Sequence, residues 1–277
     1  MSMRSSTPIF LTSAITLLLL GITALGTVDW DVSRALLNPT SAFGQFFNDY
    51  GEVPAAAGLF LAAWLLIASR DGLQPTAHRL TFVLGLPLLG LAVWLILYIP
   101  FHYAYEFDAT GMPATYRRQL PLIAAALWLT AVFCACRINS EKLRPYRRSA
   151  LTVIALITLE VIVVNLTKYV WGRPRMRAIS SFEQFHYWYQ IAGPASSGDF
   201  RSFPSGHTAN GFATIGLSLL IPANKKRAIR TAMALAIIWG CCVALSRVIV
   251  GAHFLSDVVA GGYITLLLFF LLKRRLY

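Results

Sequence analysis

Charged residues and cysteine are both scarce in this sequence. Asp, Glu, Lys and Arg make up 13% of its 277 residues, whereas hydrophobic residues make up 57%. Soluble domains use about 25% charged residues, so the shortage of charge excludes a soluble globular protein. The composition predicts an all-α, polytopic membrane helix bundle, with residues 1–277 forming a single transmembrane domain.

Acidic residues are scarcer than basic ones. The chain has 12 Asp and Glu against 24 Lys and Arg, a formal net charge of +12. In a soluble chain this excess would suggest a nucleic-acid partner, but basic residues gather on the cytoplasmic flanks of membrane helices. We therefore expect membrane lipids, and no nucleic acid, as partners.

The few cysteines lie inside apolar runs, as two close pairs. Near neighbours within one helix are poorly placed to form a disulfide, and no histidine stands at metal-ligand spacing from them. The interpretation is buried free thiols at Cys134, Cys136, Cys241 and Cys242.

Long apolar runs predict about eight transmembrane helices, because a helix needs about 20 apolar residues to cross a bilayer. The first run could also be a cleaved signal peptide, since residues 24–26 resemble a cleavage site. Residues 29–52 mix aromatic and polar side chains and are interpreted as an amphipathic segment on the membrane surface. The runs occupy residues 9–26, 53–68, 80–99, 120–136, 150–167, 207–221, 228–245 and 253–272.

The basic residues predict the orientation of the bundle. Most of them, from Arg4 to Arg275, fall in alternate loops, and the positive-inside rule assigns these loops and both termini to the cytoplasm. Against this bias, other cations stay on the outer side, within residues 168–201 and at Arg247. Binding of an anionic ligand at the outer face is the favoured reason, and attraction to anionic lipid headgroups is the alternative.

The first outer stretch, KYVWGRPRMR, gathers cations at the end of a predicted span. Arginine binds phosphate oxygens through two parallel hydrogen bonds and lysine supplies a point charge, so the cluster suits a tetrahedral oxyanion. Its cations are Lys168, Arg173, Arg175 and Arg177.

The second outer stretch, PSGH, begins the predicted span at 207–221. A helix start offers unpaired backbone N–H groups and the positive end of the helix dipole, which together favour phosphate. Gly206 after Ser205 lets an anion approach the backbone. His207 lies in the first turn, within reach of that anion.

The third outer stretch, SRVIVGAHFLSD, places Arg247, His253 and Asp257 at the edge of an apolar helix. Ionisable groups are costly near hydrocarbon, so a functional role is the default hypothesis for them. Asp257 follows His253 by four residues, so its carboxylate can accept the imidazole N–H and fix the tautomer. This arrangement suits a nucleophile beside an anion clamp. A structural polar cluster that caps the helix is the alternative.

Together the three stretches resemble the type 2 phosphatidic acid phosphatase (PAP2) superfamily, whose motifs are K-x6-R-P, P-S-G-H and S-R-x5-H-x3-D. Met176 departs from the first motif, which usually has proline there, and this affects loop geometry. Residues 150–277 are then the catalytic core, and residues 1–149 hold N-terminal spans without motifs. The matching residues are Lys168 and Arg175, then 204–207, then Ser246, Arg247, His253 and Asp257.

The resemblance implies a role for each residue. His253 attacks phosphorus and forms a phosphohistidine, Asp257 orients its ring, and His207 protonates the leaving oxygen and then activates water. No metal and no cofactor are expected, because Mg²⁺ draws on carboxylates and this motif offers only one. The phosphate oxygens are held by Lys168, Arg175, Arg247 and the Ser205–Gly206 backbone, with Arg173 as an auxiliary candidate.

The implied activity is hydrolysis of a phosphate monoester or diphosphate of a membrane lipid, in the cytoplasmic (inner) membrane, with the site facing the periplasm or the extracellular side. Candidate lipids are a polyprenyl diphosphate such as undecaprenyl diphosphate, which prevalence alone favours, phosphatidic acid, phosphatidylglycerol phosphate and a lipid A phosphate. The alternatives are a phosphotransferase that uses an acceptor lipid, and a lipid transporter or scramblase.

Two features stand apart from the motifs. Glu160 lies deep in the predicted span at 150–167, where we expect it to pair with a neighbouring helix, or else to be neutral or to line a polar path. Residues 182–189 are rich in aromatic side chains and are interpreted as an interfacial belt, with a lid over the substrate as the alternative.

Overall fold

The computed structural model describes residues 7–70, 74–105, 111–138 and 140–276, and helices account for nearly all of its regular structure, with no strand among these residues. The predicted all-α bundle is therefore confirmed. Arg4 lies outside the described residues. The α-helices are α1 (Thr7–Thr23), α2 (Val28–Ala35), α3 (Ala42–Tyr50), α4 (Val53–Ala68), α5 (Pro75–Ala104), α6 (Ala114–Arg137), α7 (Arg147–Trp171), α8 (Gly206–Ala213), α9 (Lys226–Ile249) and α10 (Leu255–Leu276).

The membrane-spanning character of the bundle is also confirmed, although the span count is lower than eight. Six described segments are long and apolar enough to cross a membrane, and a seventh exists if α1 and α2, which meet at 90°, form one broken span. The predicted span at 207–221 is instead α8 followed by a 3₁₀ helix, Thr214–Leu220. There the hydroxyls of Thr214 and Ser218 each bond the carbonyl three residues earlier, which favours the tighter winding.

Helix α8 lies in the middle of the C-terminal helices and packs against α7, α9 and α10. Glycines make this close approach possible. A Cβ atom at Gly240 would lie 2.6 Å from the Phe212 ring, and one at Gly262 would lie 2.8 Å from it. Glycines at these two positions therefore let Phe212, near the end of α8, pack closely against α9 and α10.

The N-terminal helices form a second layer on this group. Helix α4 packs against α5 on one side and α7 on the other, and α6 packs against α5. Ala63, Ile67 and Leu89 form the apolar centre between α4 and α5. The N-terminal half is thus continuous with the core that carries the motifs.

The interpretation of residues 29–52 as a surface segment is wrong. Helices α2 and α3 pack onto the bundle, with polar Asp29 and Asn48 almost completely buried. Of the aromatic side chains, Phe46 and Tyr50 are about half exposed, whereas Trp30 packs against Phe185 and Phe254. Relative to a surface helix, the polar and apolar sides are exchanged. The buried polar groups pair with Arg173 and Arg247, and the outer surface of a membrane bundle meets lipid.

The cysteines are free thiols, as expected, but they are not buried. Cys134, Cys136 and Cys241 are exposed on α6 and α9, and Cys242 is partly buried. An apolar run does not imply burial in a membrane protein, because lipid accepts apolar side chains as readily as a core does.

Candidate active site

The three motif stretches meet at one cavity of about 280 Å³. Lys168 reaches it from the last turn of α7, and Arg247 from the last turn of α9. Gly206 and His207 reach it from the first turn of α8, and Arg175 from the loop after α7. Cations more than 70 residues apart in the chain therefore converge on one small volume.

A left-handed glycine aims the loop that carries Arg175. Helix α7 ends at Gly172, whose φ is 59° and whose missing Cβ would lie 2.1 Å from the Gly193 carbonyl oxygen. Only glycine fits this turn without moving the backbone. Beyond it, the Arg175 backbone N–H donates to the Asp199 carbonyl and its Nε donates to the Gly198 carbonyl.

The start of α8 is held from two sides. Ser205 caps the helix, with its hydroxyl accepting from the Thr208 N–H, and its own backbone N–H donates to the Asp257 carbonyl at 2.9 Å. A Cβ at Gly261 of α10 would lie 2.3 Å from the Ser205 carbonyl oxygen, so α10 supports this backbone directly. The site of a Cβ at Gly206 is 3.4 Å from the Lys168 Nζ, which shows how close this ammonium comes to the helix start.

His207 has one ring nitrogen that no described residue bonds. Its Nδ1 lies 3.8 Å from Glu52 Oε1, and its ring packs against Tyr103 at 4.4 Å between centroids. Its Nε2 is buried and has no hydrogen-bond partner within the described part of the chain. Because buried polar atoms are normally satisfied, this nitrogen is placed to meet a ligand in the cavity.

Arg247 is the residue of the third stretch that lines the cavity, whereas His253 is almost completely buried and is not among the described residues that line it. The His253 backbone N–H donates to the Arg247 carbonyl, while its Nδ1 lies 3.5 Å from both Asp257 Oδ2 and Ser202 Oγ. His253 and Asp257 are thus close, at a long distance for a hydrogen bond. The Nδ1 side of the ring faces these oxygens, and Nε2 lies on the other side.

Burial lowers the pKa of His253 well below its ordinary value, and the positive charges of Lys168, Arg175 and Arg247 lower it further. The hydrogen bond with Ser202 opposes this shift. The ring is therefore neutral near pH 7, which is the form that can act as a nucleophile.

Asp257 is the centre of a buried hydrogen-bond network. Its Oδ1 accepts from Arg173 Nη1 at 2.5 Å, and its Oδ2 accepts from the Ser202 hydroxyl at 2.6 Å and from the Phe254 N–H at 2.9 Å. Several donors thus fix the carboxylate that faces His253.

Arg173 does not reach the cavity, so the auxiliary phosphate-binding role is not supported by its position. Its guanidinium is fully buried and donates to Asp257, Ser256, the His186 carbonyl and Asp29. It also lies over the Phe254 ring at 4.5 Å. Arg173 therefore links the loop after α7 to α2 and α10.

Side chains of α2 cap the N-terminus of α10. Asp29 Oδ1 accepts from the Ser256 N–H and Ser33 Oγ accepts from the Leu255 N–H, which are unpaired donors at the start of α10. Asp29 also pairs with Arg173 Nη2 at 2.9 Å. An acidic side chain near a helix N-terminus is favourable, and here it comes from a different helix.

The N-terminal half contributes site residues that carry no motif. The Asn48 side-chain oxygen accepts from Arg247 Nη1. Glu52 accepts from the Tyr103 hydroxyl and from Asn210, and both Glu52 and Tyr103 line the cavity. The only available clue to Asp29 and Glu52 was the scarcity of acidic residues in a strongly basic chain.

Glu160 lines the cavity and, among the described residues, does not make the expected pairing with a neighbouring helix. Its side chain is 1% exposed, and no described residue bonds its Oε2. Glu52, the N-cap residue of α4, lines the same cavity.

The aromatic stretch at 182–189 is partly buried and partly exposed. Phe185 is buried against Met176 and Phe254, and its ring lies 5.2 Å from the Arg173 guanidinium. Met176, which stands where the motif usually has proline, is therefore a core residue of this cluster. Tyr189 at the end of the stretch is half exposed.

Comparison with known proteins agrees with this geometry. Residues 149–277 match the family model of the PAP2 superfamily. A stretch of 101 residues is 36% identical to the lipid A 1-phosphatase of Rhizobium etli, and it covers 36% of this chain and 38% of that protein. The match thus spans less than half of the curated relative. No solved structure matches the chain.

Proposed function

Residues 149–277 belong to the PAP2 superfamily, and from this premise we propose that the protein is a membrane lipid phosphatase. It hydrolyses a phosphate monoester or diphosphate of a membrane lipid. The observation that carries the proposal is the convergence of Lys168, Arg175 and Arg247 on the cavity where His207 presents an unpaired nitrogen.

The reaction has two displacements at phosphorus. In the first, His253 Nε2 forms a bond to phosphorus as the bond to the leaving oxygen breaks, and His207 gives that oxygen a proton. In the second, a water oxygen attacks phosphorus, His207 takes the water proton, and the nitrogen–phosphorus bond breaks to release inorganic phosphate. His207 thus acts as an acid in the first step and as a base in the second.

The cations stabilise the charge that develops on the phosphate oxygens. Each charge-assisted hydrogen bond is worth about 1.5–3 kcal/mol. Lys168, Arg175, Arg247 and the N–H groups at the start of α8 together supply a substantial part of the ~8–23 kcal/mol by which enzymes lower barriers.

An apolar groove next to the cavity supports a lipid substrate. It has a volume of about 520 Å³, lies between α4, α5 and α7, and is lined by residues such as Leu59, Leu91 and Ile162. It shares Glu52 and Tyr103 with the cationic cavity, so the two are adjacent. A lipid can place its phosphate among the cations while its chain remains in the groove.

The charge pattern supports an orientation with the site at the outer face of the membrane. The loops at the other end of the bundle carry many basic residues, which the positive-inside rule assigns to the cytoplasm. In this orientation the substrate is a lipid phosphate of the outer leaflet.

Phosphate release from a panel of lipid phosphates tests the proposal. Purified wild type in detergent micelles should release inorganic phosphate without an acceptor lipid. His253→Ala and His207→Ala should each release phosphate at least about 100-fold more slowly. His78→Ala, a histidine substitution on α5 away from the site, is the matched control and should keep the rate. No release by wild type from any lipid, or equal rates in all variants, would refute the proposal; release only with an acceptor lipid would indicate a phosphotransferase.

A further inference from the structure

The cavity is lined by carboxyl groups as well as by cations. The cations lie around the starts and ends of α7, α8 and α9, whereas Glu160 lies two helical turns before Lys168 in α7. Glu52, the N-cap residue of α4, lines the same cavity, and its Oε1 lies 3.8 Å from His207 Nδ1. Glu160 is thus the carboxyl group set back from the cations, where it can meet a part of the ligand other than its phosphate.

The two carboxyl groups differ in their hydrogen bonds. Both Glu52 oxygens are occupied, since Oε2 accepts from the Tyr103 hydroxyl at 3.0 Å and Oε1 accepts from Asn210 at 2.8 Å. Glu160 Oε2 has no partner, although its side chain is 1% exposed. An unsatisfied buried acceptor is unfavourable by about 1–3 kcal/mol, and a donor on a bound ligand would remove this penalty.

The path of the lipid passes the residues between the cavity and the apolar groove. The residues shared by the two are mostly polar: Glu52, His102, Tyr103, Asn210 and, as the apolar exception, Val161. Tyr103 and Asn210 donate to Glu52, and His102 bonds Tyr98, so these side chains already have partners. Glu160, next to Val161 in α7, keeps an oxygen without a partner among the described residues, and a hydroxyl or N–H group of a lipid lying between the phosphate and the chain would pair with it.

We propose that Glu160 and the polar residues around it form a subsite for an alcohol head bearing hydroxyl or amide N–H groups, such as a sugar. This head lies between the phosphate and the lipid chains. The inference rests on the proposed lipid phosphatase function and narrows its substrate class. A carboxyl group keeps acceptor lone pairs in either protonation state, so the subsite does not depend on the charge of Glu160.

The test compares substrates that differ in the atoms next to the phosphate. A glycolipid 1-phosphate carries hydroxyl and amide groups there, while phosphatidic acid and undecaprenyl diphosphate carry no such donor. Wild type should have its highest kcat/KM with the glycolipid phosphate. Glu160→Leu should lower this value about tenfold or more, mainly through KM, because a site built to bind a donor discriminates strongly. The same variant should change the other two substrates less than about threefold.

Two further variants make the result specific. Glu160→Gln keeps a carbonyl acceptor and should keep at least part of the preference. Leu159→Ala changes the neighbouring position on α7, which lies outside the cavity, and should leave the preference unchanged. An equal loss on all substrates in Glu160→Leu, or a wild type that prefers undecaprenyl diphosphate, would overturn the subsite while leaving the phosphatase proposal intact. Absence of phosphate release from every lipid would instead refute the phosphatase proposal itself.

Discussion

At the scale of single residues, burial and neighbouring charges decide the protonation state of His253. His253 is buried beside three cations, and each of these conditions disfavours its protonated form. Asp257 does not reverse this effect, because its oxygens are already engaged by Arg173, Ser202 and the Phe254 N–H. The proposed nucleophile is thus kept neutral by its surroundings.

The pH dependence of the reaction should reflect this shift. Because the folded-state pKa of His253 lies below its ordinary value of about 6.5, the acidic limb of kcat/KM, which reports the free enzyme, should also lie below about pH 6.5. The same shift means that the unfolded chain binds the proton more readily, so stability is full above about pH 6.5 and falls as the pH drops toward the folded-state pKa.

Rates measured between pH 4 and 9 in one detergent check this expectation. His78→Ala should leave the acidic limb in place. A limb centred at or above pH 6.5 in wild type would show that the ring is not held neutral by the surrounding cations.

At the scale of elements, the short helix α2 supports the start of α10 and the arginine that pairs with Asp257. It caps α10 through Asp29 and Ser33, and its Asp29 also pairs with the arginine that holds Asp257. The ion pairs are buried, so removing one partner leaves a charge without compensation. A helix of eight residues outside the matched domain therefore supports the reacting groups.

Asp29→Ala should lower the stability of the protein by about 3–5 kcal/mol, the usual effect of breaking a buried ion pair, and should reduce phosphate release. The measurement is thermal unfolding in micelles together with the hydrolysis rate. Asp31→Ala, on the same helix but exposed, is the matched control and should have little effect. Similar unfolding temperatures for the two variants would contradict the supporting role of α2.

At the scale of the whole molecule, the bundle separates two tasks. Many helices meet lipid with apolar side chains, whereas the buried Asp, Glu and Arg side chains lie in α2, α7, α9 and α10, at the start of α4 and in the loop after α7. The apolar groove joins these two environments at Glu52 and Tyr103. This arrangement lets a reaction that needs charge proceed at the edge of a bilayer.

Activity should survive removal of divalent cations. Within the described ranges no group of three His, Cys, Asp or Glu side chains is placed to hold a metal ion. The site carboxylates Asp257 and Glu52 are already engaged by protein donors. Hydrolysis after dialysis against EDTA should stay within about twofold of the untreated rate, and recovery only on adding Mg²⁺ would contradict this reading of the site.

Much of the site could be predicted from the sequence because its chemistry is tied to short spacings. The distance from His253 to Asp257, the PSGH helix start and the cations around Gly172 are local features, and each predicts its chemistry without knowledge of the fold. Hydropathy likewise predicted an all-α membrane bundle. It overestimated the spans because the winding of residues 214–220 depends on local hydroxyl bonds that composition does not reveal.

The sequence by itself determined the class of protein and the three motifs, and it predicted an anionic ligand, since long apolar runs require helices in lipid and clustered cations favour an anion. Only the tertiary structure decided that Arg173 pairs with Asp257 and Asp29 and lies outside the described lining of the cavity, that Asn48 bonds Arg247, and that Glu52 lines the cavity. These roles arise from contacts between residues that lie 50 to 230 positions apart. A buried charge selects its partner by proximity in space, which no spacing along the chain encodes.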